Sequence, residues 1–107
     1  MKEEEIFPPL VERLHKDFSL EKESLPAIDN LDLIRKHLIA KVKELMSRDY
    51  DRFITSLYRI DVSEKKVREI LNSKDRTAIP EQLADLIIDR QMMRVKTQLL
   101  YKQGKLD

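Results

Sequence analysis

Apolar residues recur along most of this chain at intervals of three and four, the period of helices buried on one side. Leu10, Val11 and Leu14 follow Pro8 and Pro9 on that spacing. Proline is accommodated in a first helical turn, so a short helix is predicted from about Pro9 to Asp17. Residues 18–30 interrupt the period at Ser19, Ser24 and Pro26, while Phe18, Leu20, Leu25 and Ile28 are apolar enough to run along a core. Leu31, Ile34, Leu38, Val42 and Leu45 then define a clear helix, with Asp29 or Asn30 as its cap. Tyr50, Phe53, Ile54, Leu57 and Ile60 make another apolar face. Ser47, Arg48 and Asp49 offer capping side chains between the two, but no glycine or proline forces a stop, and the pattern leaves a break and a kink both open.

A new start is marked at Asp61, Val62 and Ser63. With Ser63 as N-cap, Val62 and Val67 stand where a hydrophobic staple fixes the entry of a helix from Glu64 to Leu71. A polar connection from Asn72 to Ala78 leads to Pro80, which opens a last helix running to Gln103, and Gly104 can close it in a left-handed conformation. The pattern therefore predicts an all-α, single-domain bundle of four to five helices with a long C-terminal helix. Residues 1–30 are expected as an acidic N-terminal arm with a short helix packed on the body, and residues 31–107 as the helical bundle domain.

The last helix carries apolar residues on two faces. At ~1.5 Å per residue it spans roughly 36 Å. Projection at helical periodicity puts Ala84, Ile88, Met92, Val95 and Leu99 on one stripe and Ile79, Leu86, Met93 and Leu100 on another. Arg90, Arg94, Gln98 and Lys102 form a polar ladder between them, with Leu83 and Tyr101 close by. A helix that meets a single neighbour needs one apolar stripe, so the second asks for a further partner, either inside the bundle or on another copy. The interface expected on this basis comprises Ile88, Met92, Val95 and Leu99, with Arg94 and Lys102 at its polar rim.

Composition narrows the classes without naming a chemistry. Hydrophobic residues make up 41% and charged residues 38%, with one glycine, so the chain has the material of helices and little of the turn punctuation of a β-protein. No cysteine is present, which excludes disulfides, thiol catalysis and thiolate ligation of metals. No run approaches the ~18 apolar residues of a membrane helix, and the opening Met-Lys-Glu-Glu-Glu has no apolar signal segment, so a cytoplasmic protein with no membrane partner is expected. The net charge of +1 is uneven: eight acids face four bases in residues 1–30, and seventeen bases face twelve acids in residues 31–107.

Candidate chemistry is sparse. Glu12 and His15 have the i, i+3 spacing of a carboxylate-bundle metal half-site, but His37 lacks the matching glutamate. No Gly-x-Ser-x-Gly elbow and no phosphate-cradling glycine loop occurs. Carboxylates such as Glu44, Asp49 and Asp61 are interleaved with bases in the manner of a salt-bridged surface. No catalytic, cofactor or metal residue is assigned, and the chain is expected not to be an enzyme. Residues 53–72 read as a degenerate helix-turn-helix, in which Lys65, Lys66, Arg68 and Asn72 would face a nucleic-acid groove. Two positions depart from that motif, which has a small residue where Leu57 stands and usually glycine where Asp61 stands. Nucleic-acid binding is accordingly the alternative to a protein-protein interaction or assembly module, the latter homodimeric through the C-terminal helix in its simplest form.

The run Asp49-Tyr50-Asp51-Arg52-Phe53, continued by Leu57-Tyr58-Arg59-Ile60-Asp61-Val62-Ser63-Glu64 and by Leu83-Ala84-Asp85-Leu86-Ile87-Ile88-Asp89-Arg90-Gln91, resembles small all-helical bacterial proteins of uncharacterised function. The resemblance covers roughly residues 31–102 and leaves the first 30 as a variable arm. It implies a compact helical fold and a bacterial cytoplasm, and it carries no functional residues.

Overall fold

The computed structural model describes residues 3–21 and 31–104, with burial described from Glu5 onward in the first of these stretches. Five α-helices follow one another: α1 (Glu3–Phe18), α2 (Leu31–Arg48), α3 (Tyr50–Arg59), α4 (Glu64–Leu71) and α5 (Ile79–Lys102), with a single 3-10 turn (Arg76–Ala78) leading into α5. No strand occurs among the described residues. None of the described helices is long and apolar enough to cross a membrane.

α1 is longer than the sequence predicts. It begins six residues before Pro9 and carries Pro8 and Pro9 inside it. Each proline withholds an N–H from the helical ladder, which disfavours this continuation. Ile6 and Phe7, at 4% and 2% exposure, show what offsets the loss: burying those side chains draws the preceding turn into the helix. Leu10, Val11, Leu14 and Phe18 continue the buried face, and Leu20 folds back after it. The N-terminal segment is thus a wall of the core. Leu25, Ile28 and the expected caps Asp29 and Asn30 lie outside the described residues.

The next junctions are set by side-chain caps. The chain breaks between α2 and α3 in one residue, Asp49, whose Oδ1 accepts the Arg52 backbone N–H at 3.1 Å. A capping carboxylate stops the helix where no glycine or proline does. Ser63 Oγ accepts the Lys66 N–H at 3.3 Å at the start of α4, and Val62 and Val67 are both buried at the expected staple. Asp61 closes the α3–α4 turn with φ +62°, the left-handed conformation that glycine usually supplies and aspartate tolerates. At the far end of α5, Gly104 takes φ +70° and its N–H returns to the Tyr101 carbonyl at 3.0 Å.

α5 is the central helix. α2 makes the most extensive pairing with it, and α1 and α4 also lie against it. Ile34, Leu38 and Val42 on α2 are buried, as are Leu83, Ala84, Ile87, Ile88 and Val95 on α5. α3 joins through Phe53, whose ring meets that of Phe18 edge-on at a centroid distance of 6.1 Å.

Candidate interaction surface

Along one line of α5 the chemistry changes abruptly. Ile79, Leu83 and Ile87 are buried on it in the first three turns. Helical periodicity continues the same line through Arg90, Arg94 and Tyr101, and there it opens into a groove between α5 and α1. The groove, of about 520 Å3, is lined by Arg13 from α1 and by Arg90, Met93, Arg94, Thr97, Gln98 and Tyr101 from α5. Met93 and Tyr101 are 60% and 70% exposed, the two most exposed large hydrophobic residues among those described.

Each guanidinium is held in place from behind. Arg90 Nε donates to the Ile60 carbonyl at 2.9 Å, which ties the groove to the end of α3, and its Nη1 lies 3.9 Å from Met93 Sδ. Arg94 Nη1 donates to Gln91 Oε1 at 3.1 Å and stands 3.8 Å from Asp17 Oδ2. Arg13 Nη2 donates to Gln98 Oε1 at 3.1 Å, bridging α1 to α5. Among the described residues Asp17 is the one carboxylate within ion-pair reach of these three arginines, so the groove holds excess positive charge. Partial desolvation, and then the neighbouring charge of Arg94, pull the Arg13 pKa below the usual arginine value, while Asp17 opposes the shift. Arginine stays protonated at any physiological pH, so the charge is permanent.

The expected interface residues are divided by this arrangement. Ile88 and Val95, at 4% and 0% exposure, belong to the chain's own core and present no free seam. Met92 and Leu99 are half-buried against that core. The first stripe is therefore covered from within, because α5 has bundle neighbours on that side. Of the second stripe, Ile79 is buried, Leu86 and Leu100 are half-buried, and Met93 is open. Arg94 lines the groove, whereas Lys102 is exposed in the last turn beyond it. Arg13 was not legible as a site residue. The ladder of Arg90, Arg94 and Gln98 was visible in the sequence, but the register of α1 against it is set by packing.

Lys65, Lys66, Arg68 and Asn72 are all exposed on or just after α4. Glu64 and Glu69 alternate with them and dilute their charge. α4 rests chiefly on α5, while α3 rests on α2 and α1. A helix-turn-helix instead seats its second helix against its first. His15 Nδ1 lies 2.8 Å from the Leu20 carbonyl, and His37 is half-buried on α2. Among the described residues, no three or more His, Cys, Asp or Glu side chains are grouped to hold a metal ion. Glu44 is bonded to Lys41 and Arg48 and Asp49 caps α3, so these two carboxylates have structural roles, while Asp61 forms a turn through its backbone.

No family model, curated protein or solved structure matches this chain. Its function is read from its own residues.

Proposed function

We propose that this protein is a non-catalytic interaction module that receives an acidic, amphipathic segment of a partner protein in the α1–α5 groove. The observation that carries this reading is the exposure of Met93 and Tyr101 amid the Arg13, Arg90 and Arg94 guanidiniums. Methionine, tyrosine and arginine are the residue types enriched in interface centres, where a flexible thioether and a rigid ring supply contact area. Guanidinium forks bind carboxylates in a bidentate manner, which fixes orientation as well as adding energy. The hydrogen bonds to Ile60, Gln91 and Gln98 hold the arginines ready, so little side-chain entropy remains to be lost on docking.

A second copy of the chain is a poorer occupant. A two-fold axis through the groove would set the three arginines of one copy against the same three of the other. Like charges ~6 Å apart repel by roughly 3 kcal/mol at an effective dielectric of 20, and Met93 and Tyr101 offer few apolar contacts to offset that. An acidic partner turns the same charges into attraction. The reading carries a cytoplasmic setting with it, in keeping with a chain that has no cysteine.

The probe is a helical peptide of about sixteen residues with Leu at i, i+3 and i+7 and Glu between, the spacing of one helix face. Titrated into labelled protein, it should shift the Met93 methyl and Tyr101 ring signals first. Shifts confined to other surfaces would contradict the assignment.

The second reading, nucleic-acid binding through α4, draws support from the left-handed Asp61 turn, which supplies the conformation that the helix-turn-helix motif obtains from glycine. It predicts DNA binding that falls steeply with salt and disappears in Lys65→Glu/Lys66→Glu.

A further inference from the structure

A second concavity lies in the corner between α2 and α3, closed by the last turn of α1. It encloses about 530 Å3, within the range of small-molecule sites. One face of α3 contributes Arg52, Ser56 and Arg59, spaced four and three residues apart, and α1 contributes Lys16 at its C-terminal end. Phe18, Phe53 and Leu45 form its apolar floor.

The charges here are not mutually neutralised. Lys41 and Arg48, on the α2 wall, are bonded to Glu44 at 3.3 and 2.8 Å. Two carboxylates, Asp17 and Asp49, also line the cleft, where they face the five cations Lys16, Lys41, Arg48, Arg52 and Arg59. Asp49 accepts from the α3 backbone, and Asp17 accepts Gln91 Nε2 at 2.7 Å. Lys16, Arg52 and Arg59 have no carboxylate within ion-pair distance among the described residues. Three cations without an ion-pair partner among the described residues thus face one recess, two on a single helix and one across from it. We propose that this cleft binds a small ligand carrying two or three linked phosphates.

Charge selects the ligand class. A single phosphate carries at most about two negative charges near neutral pH, whereas a di- or triphosphate chain matches the three cations of Lys16, Arg52 and Arg59 together. Phosphate oxygens match guanidinium forks, and lysine serves as a point charge. Leu45, half-buried beside the cations, is the apolar contact against which the organic part of a nucleotide would rest. The inference is independent of the α1–α5 groove, which shares none of these cations.

The test is calorimetry and amide shift mapping with inorganic tripolyphosphate, and separately with ATP, both without added metal. Wild-type protein should bind with shifts at Ser19, Arg52, Ser56 and Arg59. Arg52→Gln/Arg59→Gln removes both charges at exposed positions and should keep the fold, to be checked by circular dichroism, while weakening binding at least tenfold. Lys16→Gln, altering an exposed position, should weaken it severalfold. Lys102→Gln, at the exposed end of α5 away from the cleft, should leave it unchanged. Tighter binding of ATP than of tripolyphosphate assigns the floor to a base or sugar, and equal binding assigns the site to the phosphate chain alone. The proposal is overturned if the double glutamine variant binds like wild type, or if shifts appear only around Arg13 and Arg94. Equal affinity for single inorganic phosphate would also overturn it.

Discussion

Gln91, the one fully buried polar side chain among the described residues, donates from Nε2 to Asp17 Oδ2 at 2.7 Å and accepts Arg94 Nη1 on Oε1 at 3.1 Å. Its amide is satisfied in both senses, and it joins α1 to α5 beneath the arginine groove. Removing it leaves the half-buried Asp17 carboxylate with the longer 3.8 Å contact to Arg94 in place of a hydrogen bond. Gln91→Leu should therefore destabilise the protein by about 1–3 kcal/mol in urea unfolding, despite raising core hydrophobicity. A double-mutant cycle with Asp17→Asn should return coupling of ~1 kcal/mol, and additivity of the two changes would show that the bond contributes nothing.

The helix boundaries yield a sharper contrast. Ser63→Ala removes the hydroxyl that accepts the Lys66 N–H and should cost about 1 kcal/mol, while Ser63→Asp should be nearly neutral. Two residues earlier, Asp61→Val forces a β-branched side chain into φ +62° and should cost ~1–2 kcal/mol, whereas Asp61→Asn should not. Equal stability of the valine and asparagine variants would mean that the turn is not held in this conformation.

Much of this local grammar was legible in the sequence. Ser63, the Glu64–Leu71 helix and the long α5 follow from spacing and capping, because caps act within a few residues. Asp49 was visible as a cap, but not as a stop, since the sequence does not say whether a cap competes successfully with continued helix. The early start of α1 was hidden for the opposite reason: Pro8 and Pro9 argue locally for an end, and burial of Ile6 and Phe7 overrides them from a distance. The placement of Ile88 and Val95 likewise depends on which helices flank α5. Periodicity shows that a face is apolar, but not what covers it.

If α1 is a wall of the core, its buried leucines should matter as much as those of α2. Leu14→Ala, at a fully buried site, should cost about 2–5 kcal/mol, comparable with Leu38→Ala. Lys102→Ala on the exposed end of α5 should stay within ~0.5 kcal/mol of wild type. A Leu14→Ala protein as stable as wild type would make α1 a detachable arm. Thermal and urea unfolding of the three variants decide the matter.

Acid should reveal the Glu44 cluster. Hydrogen bonds first from Arg48 and then from Lys41 hold the Glu44 carboxyl below its usual range. A depressed folded-state pKa gives stabilisation that is present above the unfolded value of about 4.3 and is lost as pH falls through the folded value. Glu44→Gln should accordingly flatten the decline in stability on the acid side of pH ~4.3. Its effect should shrink with added salt, as these groups lie at the surface. An unchanged acid limb would remove Glu44 from the account.

The most direct test of the groove is a charge swap. Anisotropy of the labelled acidic peptide is measured against wild type and Arg90→Glu/Arg94→Glu, alongside a counterpart peptide with Lys in place of every Glu. Wild type should bind the acidic peptide and ignore the basic one, while the double variant should lose at least tenfold affinity for the first and gain affinity for the second. Equal binding of the acidic peptide by both proteins would contradict the assignment of the α1–α5 groove as the docking surface.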